Sequence, residues 1–401
     1  MKQAVMYGAG NIGRGFIGQL FHMSGYEITF VDVNRNVIDR LNADRGYPIY
    51  ITEGDRYREY SVTGVRAVDG FDTEAIANAI AQADVMATAV GVNVLERIAA
   101  PIAAGVRCRM ERGVEKPLNI IVCENKIEAD RYLAALIRNN LSAKEQVYFN
   151  THIATVEPSI GRMVPVTPRE LAEKHPLAVC VEPYCELPVD QSAFLGELPP
   201  IAHLQPFSPF DFHIRRKLFM HNMSHALAAY LGAYRGYTYI WEAAEDRLIR
   251  EAVRRALGES AKALSLEYGV PLGELVAFGE ELIERFRNRL LGDTIERVGR
   301  DTKRKLAPCD RFVGAARLCE KHRIAPAYIL VGIAAGLCFA PAGDEASLEI
   351  RSSVEQNGVC RTLEQYCEIR EDSPFAHAVG AVFGGFSDGK PLEKILPALV
   401  R

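Results

Sequence analysis

Short apolar runs alternate with helical patterns over the first 150 residues. The runs predict buried strands at 4–7, 28–33, 84–90 and 118–123. Between them, apolar residues recur at helical spacing over 12–21, 73–82 and 94–112. Continuously apolar strands that alternate with helices are typical of a parallel sheet covered on both faces. We therefore predict an α/β, Rossmann-type N-terminal domain with a mainly parallel sheet.

Two stretches depart from this alternation. Residues 48–67 are rich in Tyr, Thr, Val and charge, which predicts antiparallel strands inserted in the first domain. Six prolines between 183 and 209 argue against a long helix and favour a connection between domains. Beyond residue 210 the predicted helices are 211–232, 240–268, 272–288, 325–339, 346–356, 360–370 and 391–399. The chain thus divides into a domain of residues 1–200 and a mostly α-helical domain of residues 201–401.

A glycine motif follows the first predicted strand. Gly8, Gly10 and Gly13 form G-x-G-x-x-G, a pattern that makes a tight turn and lets the backbone approach a pyrophosphate. The helix that begins there offers free N–H groups to phosphates. The second strand ends at Asp32, whose carboxylate would accept hydrogen bonds from ribose hydroxyls and repel a 2′-phosphate. Residues 1–200 are therefore predicted to bind NAD in preference to NADP.

Other candidate NAD contacts lie beside the glycines and at strand ends. The carboxyl ends of parallel strands face the ligand crevice, which adds Asn11, Ile12, Val90 and Asn125. Asn125 either meets the nicotinamide-side ribose or caps a helix. Arg35 is the only residue that suggests NADP, because it could pair with a 2′-phosphate. The alternative is that Arg35 is a solvated side chain at the start of the next helix.

Composition narrows the partners. Forty-seven basic residues against fifty-one acidic ones give no global basic field, so we expect no nucleic-acid partner. No signal-peptide core and no apolar run of about 18 residues are present, so we expect no membrane partner. Nine cysteines, an odd count without an export signal, favour the reducing cytoplasm. C-x-x-C and H-E-x-x-H are absent, so we expect no metal site.

A polar cluster lies on the first helix of the second domain. At about 100° per residue, Lys217, Asn222 and His225 can all address one cleft, and His221 falls on the same side. Polar side chains on a buried helix face must be hydrogen-bonded, and they add nothing to the packing of an apolar core. For any one of these residues taken alone, a solvated or capped side chain remains the alternative.

The Lys217 segment, together with several others, resembles the polyol-specific long-chain dehydrogenases. The segments are MYGAGNIGRGFIG (6–18), TAVGVNVLERIA (88–99), NIIVCEN (119–125), RKLFMHNMSHALAAYLG (216–232) and ERVGRDTKRKL (296–306), followed by Asp310-Arg311. The resemblance implies that residues 201–401 are the substrate and catalytic domain, with Lys217 as catalytic acid/base and with Asn222 and His225 as its polar partners. It implies that Arg297 and Lys305 hold a small sugar phosphate or polyol, that no metal takes part, and that the protein is a monomer.

Phosphate binding is expected in the basic segment 297–305. Arginine forks bind phosphate oxygens in bidentate fashion, so Arg297, Arg300 and Lys305 are candidate substrate residues. For Lys303 and Arg304, a solvated basic helix start is the alternative. Together with this basic segment, the resemblance implies NAD-dependent interconversion of D-mannitol 1-phosphate and D-fructose 6-phosphate, with a lysine moving the proton.

Two departures from the family pattern keep other substrates open. Gly161 stands where members commonly carry an acidic residue, and Pro158 stands where many that act on free polyols carry asparagine. The alternatives are the same chemistry on another polyol, polyol phosphate or hexuronate, and a dinucleotide-sensing regulatory protein without turnover.

Overall fold

The computed structural model describes residues 2–396, which divide into two compact units between Asp211 and Phe212. The first unit contains eleven strands among its described residues: β1 (Lys2–Tyr7), β2 (Tyr26–Asp32), β3 (Gly46–Glu53), β4 (Arg56–Thr63), β5 (Val65–Asp69), β6 (Val85–Thr88), β7 (Leu118–Val122), β8 (Ile153–Val156), β9 (Val179–Val181), β10 (Leu187–Asp190) and β11 (Leu204–Phe207). Six of them form a parallel sheet in the order β5-β2-β1-β6-β7-β8.

This parallel sheet has an apolar core on each face. Along β1, Ala4 and Met6 belong to one cluster of buried residues, whereas Val5 and Tyr7 belong to another. Successive side chains of a strand point to opposite faces, so the two clusters lie on opposite sides of the sheet. The parallel sheet covered on both faces that the apolar strands predicted is confirmed.

Helices of the first unit cover the sheet. A π-helical turn, Gly13–Ile17, precedes α1 (Gly18–Met23), and it is followed by α2 (Arg35–Asp44), α3 (Thr73–Gln82), α4 (Leu95–Glu111), α5 (Ala129–Arg138), α6 (Ala143–His152) and α7 (Arg169–Lys174). Short 3₁₀ turns lie at Val92–Val94 and Gln191–Ala193. Side-chain caps begin three of these helices: Asn34 accepts from Val37 N at the start of α2, Asp72 from Ala75 N at the start of α3, and Ser142 from Glu145 N at the start of α6.

The inserted segment is only partly as predicted. β3 and β4 pair antiparallel over their full lengths, and β9 adds to β3 in parallel. The prediction was wrong for Val65 onward, because Gly64, with φ of +67°, turns the chain and β5 then joins the main sheet beside β2. Residues 183–209 carry β10 and β11, which pair with each other, and no long helix.

The second unit is helical. After α8 (Asp211–Arg216) comes a π-helical segment, Lys217–Asn222, and then α9 (Met223–Arg235), α10 (Ile240–Glu245), α11 (Arg247–Tyr268), α12 (Leu272–Phe286), a 3₁₀ turn (Arg289–Leu291), α13 (Ile295–Gly299), α14 (Thr302–Lys305), α15 (Val313–Lys321), α16 (Ala327–Cys338), α17 (Glu345–Asn357), α18 (Val359–Cys367), α19 (Pro374–Ser387) and α20 (Leu392–Ile395). α16 is buried from Tyr328 to Leu337 and packs against α9, α11 and α19, as expected for a helix that is apolar all round.

Several predicted helix bounds change. The predicted helix 240–268 breaks at Asp246, whose side chain accepts from Leu248 N (2.8 Å) and Ile249 N (3.1 Å) and so begins a new helix. α15 and α19 were not predicted. The predicted helix 391–399 is helical over Leu392–Ile395, and residues 397–399 lie outside the described part.

All nine cysteines lie among the described residues and form no disulfide with one another. None of the helices in residues 2–396 combines the length and apolar character needed to cross a bilayer.

Candidate active site

The glycine motif forms a tight loop at the carboxyl end of β1. Gly8 has a φ of +102°, and a Cβ there would overlap the Ala89 carbonyl. A Cβ on Gly13 would overlap the carbonyl oxygen of Gly8, so the helix start can approach the strand end only without a side chain. Gly10 has open space where its Cβ would be. The loop is therefore closed on its protein side and open at Gly10, which fits the approach of a dinucleotide pyrophosphate.

Two charged side chains hold this loop from beneath. Asp32 Oδ2 accepts from Ala9 N at 2.7 Å, and Arg14 Nη1 donates to the Ala9 carbonyl. Asp32 Oδ1 accepts from Asn34 N at 2.8 Å. Arg14 is buried, and burial lowers the pKa of its guanidinium, with Tyr47 and Asp32 opposing that shift. Sequence reasoning missed Arg14, although an arginine directly after the third glycine was the available signal.

We expect Gly13→Ala and Gly10→Ala to separate the two roles of the loop. Gly13→Ala should lower the thermal unfolding midpoint and abolish NADH binding, because the new methyl group meets the Gly8 carbonyl. Gly10→Ala should leave the unfolding midpoint unchanged and weaken NADH binding, because its methyl group projects into the open space. Thermal unfolding and fluorescence titration measure both effects. Unchanged NADH affinity in Gly10→Ala would mean that the pyrophosphate does not approach there.

The remaining predicted NAD residues differ in their surroundings. Val90 N and Gly91 N donate to the Glu124 carboxylate at 2.8 and 2.9 Å, which links the ends of β6 and β7. Asn125 follows directly and is exposed. The Asn11 amide donates to the Pro165 carbonyl at 3.0 Å, and Ile12 packs against the sheet core, so both have structural partners within the unit.

Arg35 is exposed and pairs with Asp69 at 2.6 Å, at the carboxyl end of β5. Because Arg35 already forms an ion pair with Asp69, its presence gives little support to binding of the 2′-phosphate of NADP.

The segment that departs from the family pattern has a structural role. Arg162 is buried, and it donates to the Gly15 carbonyl (3.0 Å), to Gln19 Oε1 (2.6 Å) and to the Glu182 carbonyl (2.8 and 3.0 Å). Gly15 lies in the first π-helical turn. Gly161 lies against the Tyr184 ring, where a Cβ would come within 3.2 Å of Cε1. This segment therefore anchors the helix that begins at the glycine loop.

The predicted catalytic residues lie on and beside the second π-helical segment. Lys217 and Asn222 are its first and last residues, and His225 follows in the first turn of α9. An i→i+5 turn is wider than an α-turn, so the angular positions calculated for a regular α-helix do not apply here. All three side chains are partly exposed, whereas His221 is buried. Burial, with the charges of Arg285, His225 and Lys217, lowers the pKa of His221 and keeps its ring neutral.

His225 is held between an aromatic ring and a carboxylate. Its ring stacks on Phe286 with centroids 4.7 Å apart and planes 9° apart. Its Nε2 lies 3.3 Å from Asp293 Oδ2. Asp293 Oδ1 accepts from Arg297 Nε at 2.7 Å, and Arg297 Nη2 lies 2.6 Å from the same oxygen in an ion pair. Burial alone would raise the pKa of Asp293, but His225 and Arg297 hold it below its usual value.

The basic segment splits into two groups. Lys303 pairs with Glu349 at 2.8 Å, Arg304 pairs with Asp301 at 2.6 Å, and Arg300 is exposed. Lys305 is buried, and its Nζ donates to the Arg300 carbonyl. Burial, then Arg311 and Arg304, lower the pKa of Lys305 to about 7. The structure thus separates one buried lysine from its solvated neighbours.

Residues that sequence reasoning did not select complete this region. Asp293 links His225 to Arg297, Phe286 supports the His225 ring, and Arg311 is buried beside Asp310 at 2.7 Å. Arg311 Nη2 and the Tyr230 hydroxyl are both buried, and neither has a hydrogen-bond partner among the described residues. The spacing of Asp293 and Arg297, four residues apart, was the one local signal for their pairing.

His221 and His225 are spaced as two helical metal ligands can be, with ring centroids 6.0 Å apart. Within residues 2–396, however, no three His, Cys, Asp or Glu side chains form a metal-binding group.

Comparison with known proteins covers both units. The Mannitol dehydrogenase Rossmann domain matches residues 2–203, and the Mannitol dehydrogenase C-terminal domain matches residues 209–380. Mannitol-1-phosphate 5-dehydrogenase of Thermoanaerobacter pseudethanolicus is 35% identical over 379 residues, which covers 94% of this chain and 96% of that protein. The enzyme of the same name from Brevibacillus brevis is 39% identical over 376 residues, with 94% and 96% covered.

Solved structures share the fold. Pseudomonas fluorescens mannitol 2-dehydrogenase, in a ternary complex with NAD and D-mannitol, aligns with a TM-score of 0.80 at 15% identity and covers 100% of this chain and 94% of its own. A substrate-free D-sorbitol dehydrogenase aligns equally well, with a TM-score of 0.80 at 14% identity over 99% and 94% of the two chains. With both domains matched and two relatives above 30% identity along nearly the whole length, the chain belongs to the mannitol dehydrogenase family.

Proposed function

We propose that this protein is an NAD-dependent dehydrogenase that interconverts D-mannitol 1-phosphate and D-fructose 6-phosphate, with Lys217 as the acid/base. The observation that carries the proposal is the match along 94% of the chain to bacterial mannitol-1-phosphate 5-dehydrogenases. The glycine loop and the polar cluster around His225 agree with it, because the first suits a dinucleotide and the second suits proton transfer beside an anionic substrate.

The first unit would hold the cofactor at the glycine loop. The pyrophosphate would bind at the helix start, beside Gly8, Gly10 and Gly13. Asn11 and Ile12 lie in the same loop. Asp32 would bind the adenosine ribose, and Val90 and Asn125 would meet the nicotinamide half. When bound, NAD would supply the hydride acceptor for polyol oxidation, and NADH would supply the hydride for ketose reduction.

The second unit would move the proton. In polyol oxidation, Lys217 Nζ accepts the hydroxyl proton, and in ketose reduction the ammonium donates it to the carbonyl oxygen. The Asn222 amide donates a hydrogen bond to the oxygen while that oxygen carries negative charge. His225 binds the substrate hydroxyl beside it. Its rigid seat between Phe286 and Asp293 supports that role, since a positioned group loses little entropy on binding.

The substrate phosphate would bind to the basic residues of the second unit. Arg297 has two of its nitrogens on Asp293, and the guanidinium has further N–H donors for a phosphate oxygen. Lys305 supplies a buried amine, and Arg300 supplies an exposed guanidinium. Lys303 and Arg304 are left out of the proposal, because each already has a carboxylate partner.

Asp32 should govern both the affinity for NAD and the preference over NADP. Asp32→Asn keeps an oxygen that can accept from Ala9 N but removes the charge, so it should narrow the preference for NAD with a small loss of affinity. Asp32→Ala removes both the accepting oxygen and the charge, so it should also weaken NAD binding. The test is to measure KM for NAD and for NADP with each variant. Equal use of NADP by the unsubstituted protein would remove this role from Asp32.

Phosphate binding should weaken as the pH rises above 7. A lysine with a pKa of about 7 is charged below that pH and neutral above it, so its attraction for a phosphate dianion is lost as the pH rises. The groups that face Lys305 are Arg311, Arg304, Asp301 and Asp310. We expect KM for fructose 6-phosphate to rise between pH 7 and about pH 9. In Lys305→Met this rise should be absent, and a rise of equal size in that variant would assign it to another group.

The decisive experiment measures NADH oxidation with a panel of ketoses. Fructose 6-phosphate should be reduced far better than fructose, than other ketose phosphates and than keto-hexuronates. Faster turnover of another ketose would establish the same chemistry on a different polyol, polyol phosphate or hexuronate. NADH binding without turnover of any member of the panel would favour a dinucleotide-sensing regulatory protein.

We also propose that the enzyme works in the cytoplasm as a monomer, without a nucleic-acid or membrane partner. Nine cysteines with no disulfide among them support a reducing compartment. Light scattering coupled to size-exclusion chromatography tests the monomer, for which the chain mass is 44.4 kDa.

A further inference from the structure

One buried carboxylate bridges two residues that the proposed function assigns to different tasks. Asp293 faces His225 through Oδ2, at 3.3 Å, and Arg297 through Oδ1, at 2.6 and 2.7 Å. Its side chain is 5% exposed. Each carboxylate oxygen therefore serves a different partner, so a displacement of this one side chain moves both of them.

The backbone around Asp293 is fixed independently of its side chain. The Asp293 carbonyl accepts from Ile240 N at 2.9 Å, and Ile295 N donates to the Thr238 carbonyl at 2.9 Å. The next residue, Thr294, caps α13 by accepting from Arg297 N at 3.3 Å. These bonds attach the loop to α10, so the backbone position of Asp293 does not depend on the partners of its side chain.

The histidine has little freedom to choose another orientation. Phe286 covers one face of the His225 ring. The ring centroid of His221, in the preceding π-helical segment, lies 6.0 Å from that of His225. The 3.3 Å contact to Asp293 is long for a hydrogen bond and its geometry falls short of a linear one, as is common before a substrate closes a site. Nε2 and Asp293 Oδ2 are both buried, and neither meets the criteria of a hydrogen bond with any described residue, so the two atoms face each other with no competing partner.

We propose that Asp293 is a positioning residue that fixes His225 as the Nε2–H tautomer while holding Arg297 at the substrate phosphate. A carboxylate can only accept a hydrogen bond, so the nitrogen facing it carries the proton and Nδ1 stays an acceptor. That acceptor can then take a hydrogen bond from the substrate hydroxyl or from the Lys217 ammonium. The inference rests on the proposed function, because it assigns the support of that same site.

The test uses Asp293→Asn, which keeps the volume and removes the charge. The asparagine amide can present N–H to His225 Nε2, which favours the opposite tautomer. We expect kcat for fructose 6-phosphate reduction to fall about 10- to 100-fold, by analogy with the loss of a partner that orients a metal-binding histidine. In a His225→Ala background the same substitution should change kcat by less than about twofold, because the residue through which it acts is gone.

Asp246→Asn is the matched control. Asp246 is another carboxylate of the second unit, and it accepts from two backbone N–H groups at the start of α11 and from the Tyr237 hydroxyl. Its loss should lower the unfolding midpoint and leave kcat per folded molecule unchanged. If Asp293→Asn behaves in the same way, or lowers kcat equally with and without His225, its role is structural and the proposal is overturned.

A second readout does not depend on turnover. Nitrogen-15 NMR of the labelled histidines, with His225→Gln to assign the signal, should show His225 protonated at Nε2 in the unsubstituted protein and at Nδ1 in Asp293→Asn. An Nδ1–H tautomer in the unsubstituted protein would overturn the inference. Failure of the unsubstituted protein to reduce fructose 6-phosphate would instead overturn the proposed function, and the NMR result would still decide the role of Asp293.

Discussion

Lys217→Ala is expected to lower kcat by about 10²- to 10⁴-fold, the usual contribution of a general acid–base group. Lys217 is the one member of the cluster that combines a titratable amine with a long, reorientable side chain, whereas the Asn222 amide does not titrate. NADH affinity should stay unchanged, because the glycine loop and Asp32 belong to the other unit. The rise of the oxidation rate with pH should disappear in the variant, and an added primary amine should restore part of the activity.

Lys303→Ala is the control for the loss of a lysine charge in the same unit. Lys303 pairs with Glu349 and is half exposed, so its removal should leave kcat and the pH profile as they are. Near-normal kcat and an unchanged pH profile in Lys217→Ala would place the base elsewhere. His225 would then be the next candidate, whereas the buried and neutral His221 is less suited to exchange protons with a substrate.

Arg297→Ala is expected to raise KM for fructose 6-phosphate roughly 10- to 100-fold. The estimate follows from the 1.5–3 kcal/mol or so that a hydrogen bond to a charged group contributes, at about 1.4 kcal/mol per factor of ten. It should also reduce kcat, because Asp293 loses the partner on Oδ1 and no longer holds His225 as firmly. Steady-state kinetics with fructose 6-phosphate and with fructose measure the two effects separately.

Fructose distinguishes phosphate binding from general damage. KM for fructose should not rise in Arg297→Ala, since it has no phosphate to lose. Arg300→Ala, an exposed arginine three residues on, should raise KM for fructose 6-phosphate less than Arg297→Ala does. An equal loss on both sugars would show that Arg297 supports the site through Asp293 alone.

Local patterns in the sequence were sufficient to predict the glycine loop of the first unit. Three glycines after the first strand and an acid at the end of the second predicted the loop. In the structure Gly13 lies against the Gly8 carbonyl, and Asp32 accepts from Ala9 N in the same loop. The signal is strong because the steric need is local: Gly13 must pass within reach of the Gly8 carbonyl. Arg14 went unnoticed because its role depends on being buried, which the spacing of the motif does not show.

The second unit was harder to predict, because its contacts join distant segments. His225 and Asp293 are separated by three helices, and nothing in either local segment indicates the other. The basic run 297–305 posed the opposite problem, since its charges look equivalent in sequence. Only the fold shows that Lys303 meets Glu349 at the surface while Lys305 is enclosed.

The π-helical segment Lys217–Asn222 has a consequence for insertions and deletions. An i→i+5 turn accommodates one residue more than an α-turn, so the segment is equivalent to a single-residue insertion within a continuous helix. Deleting one residue there would let the helix wind regularly, and it would rotate Lys217 by about 100° relative to His225. Sequence alignments that open a one-residue gap in this stretch therefore mark proteins whose polar cluster cannot be assembled in the same way.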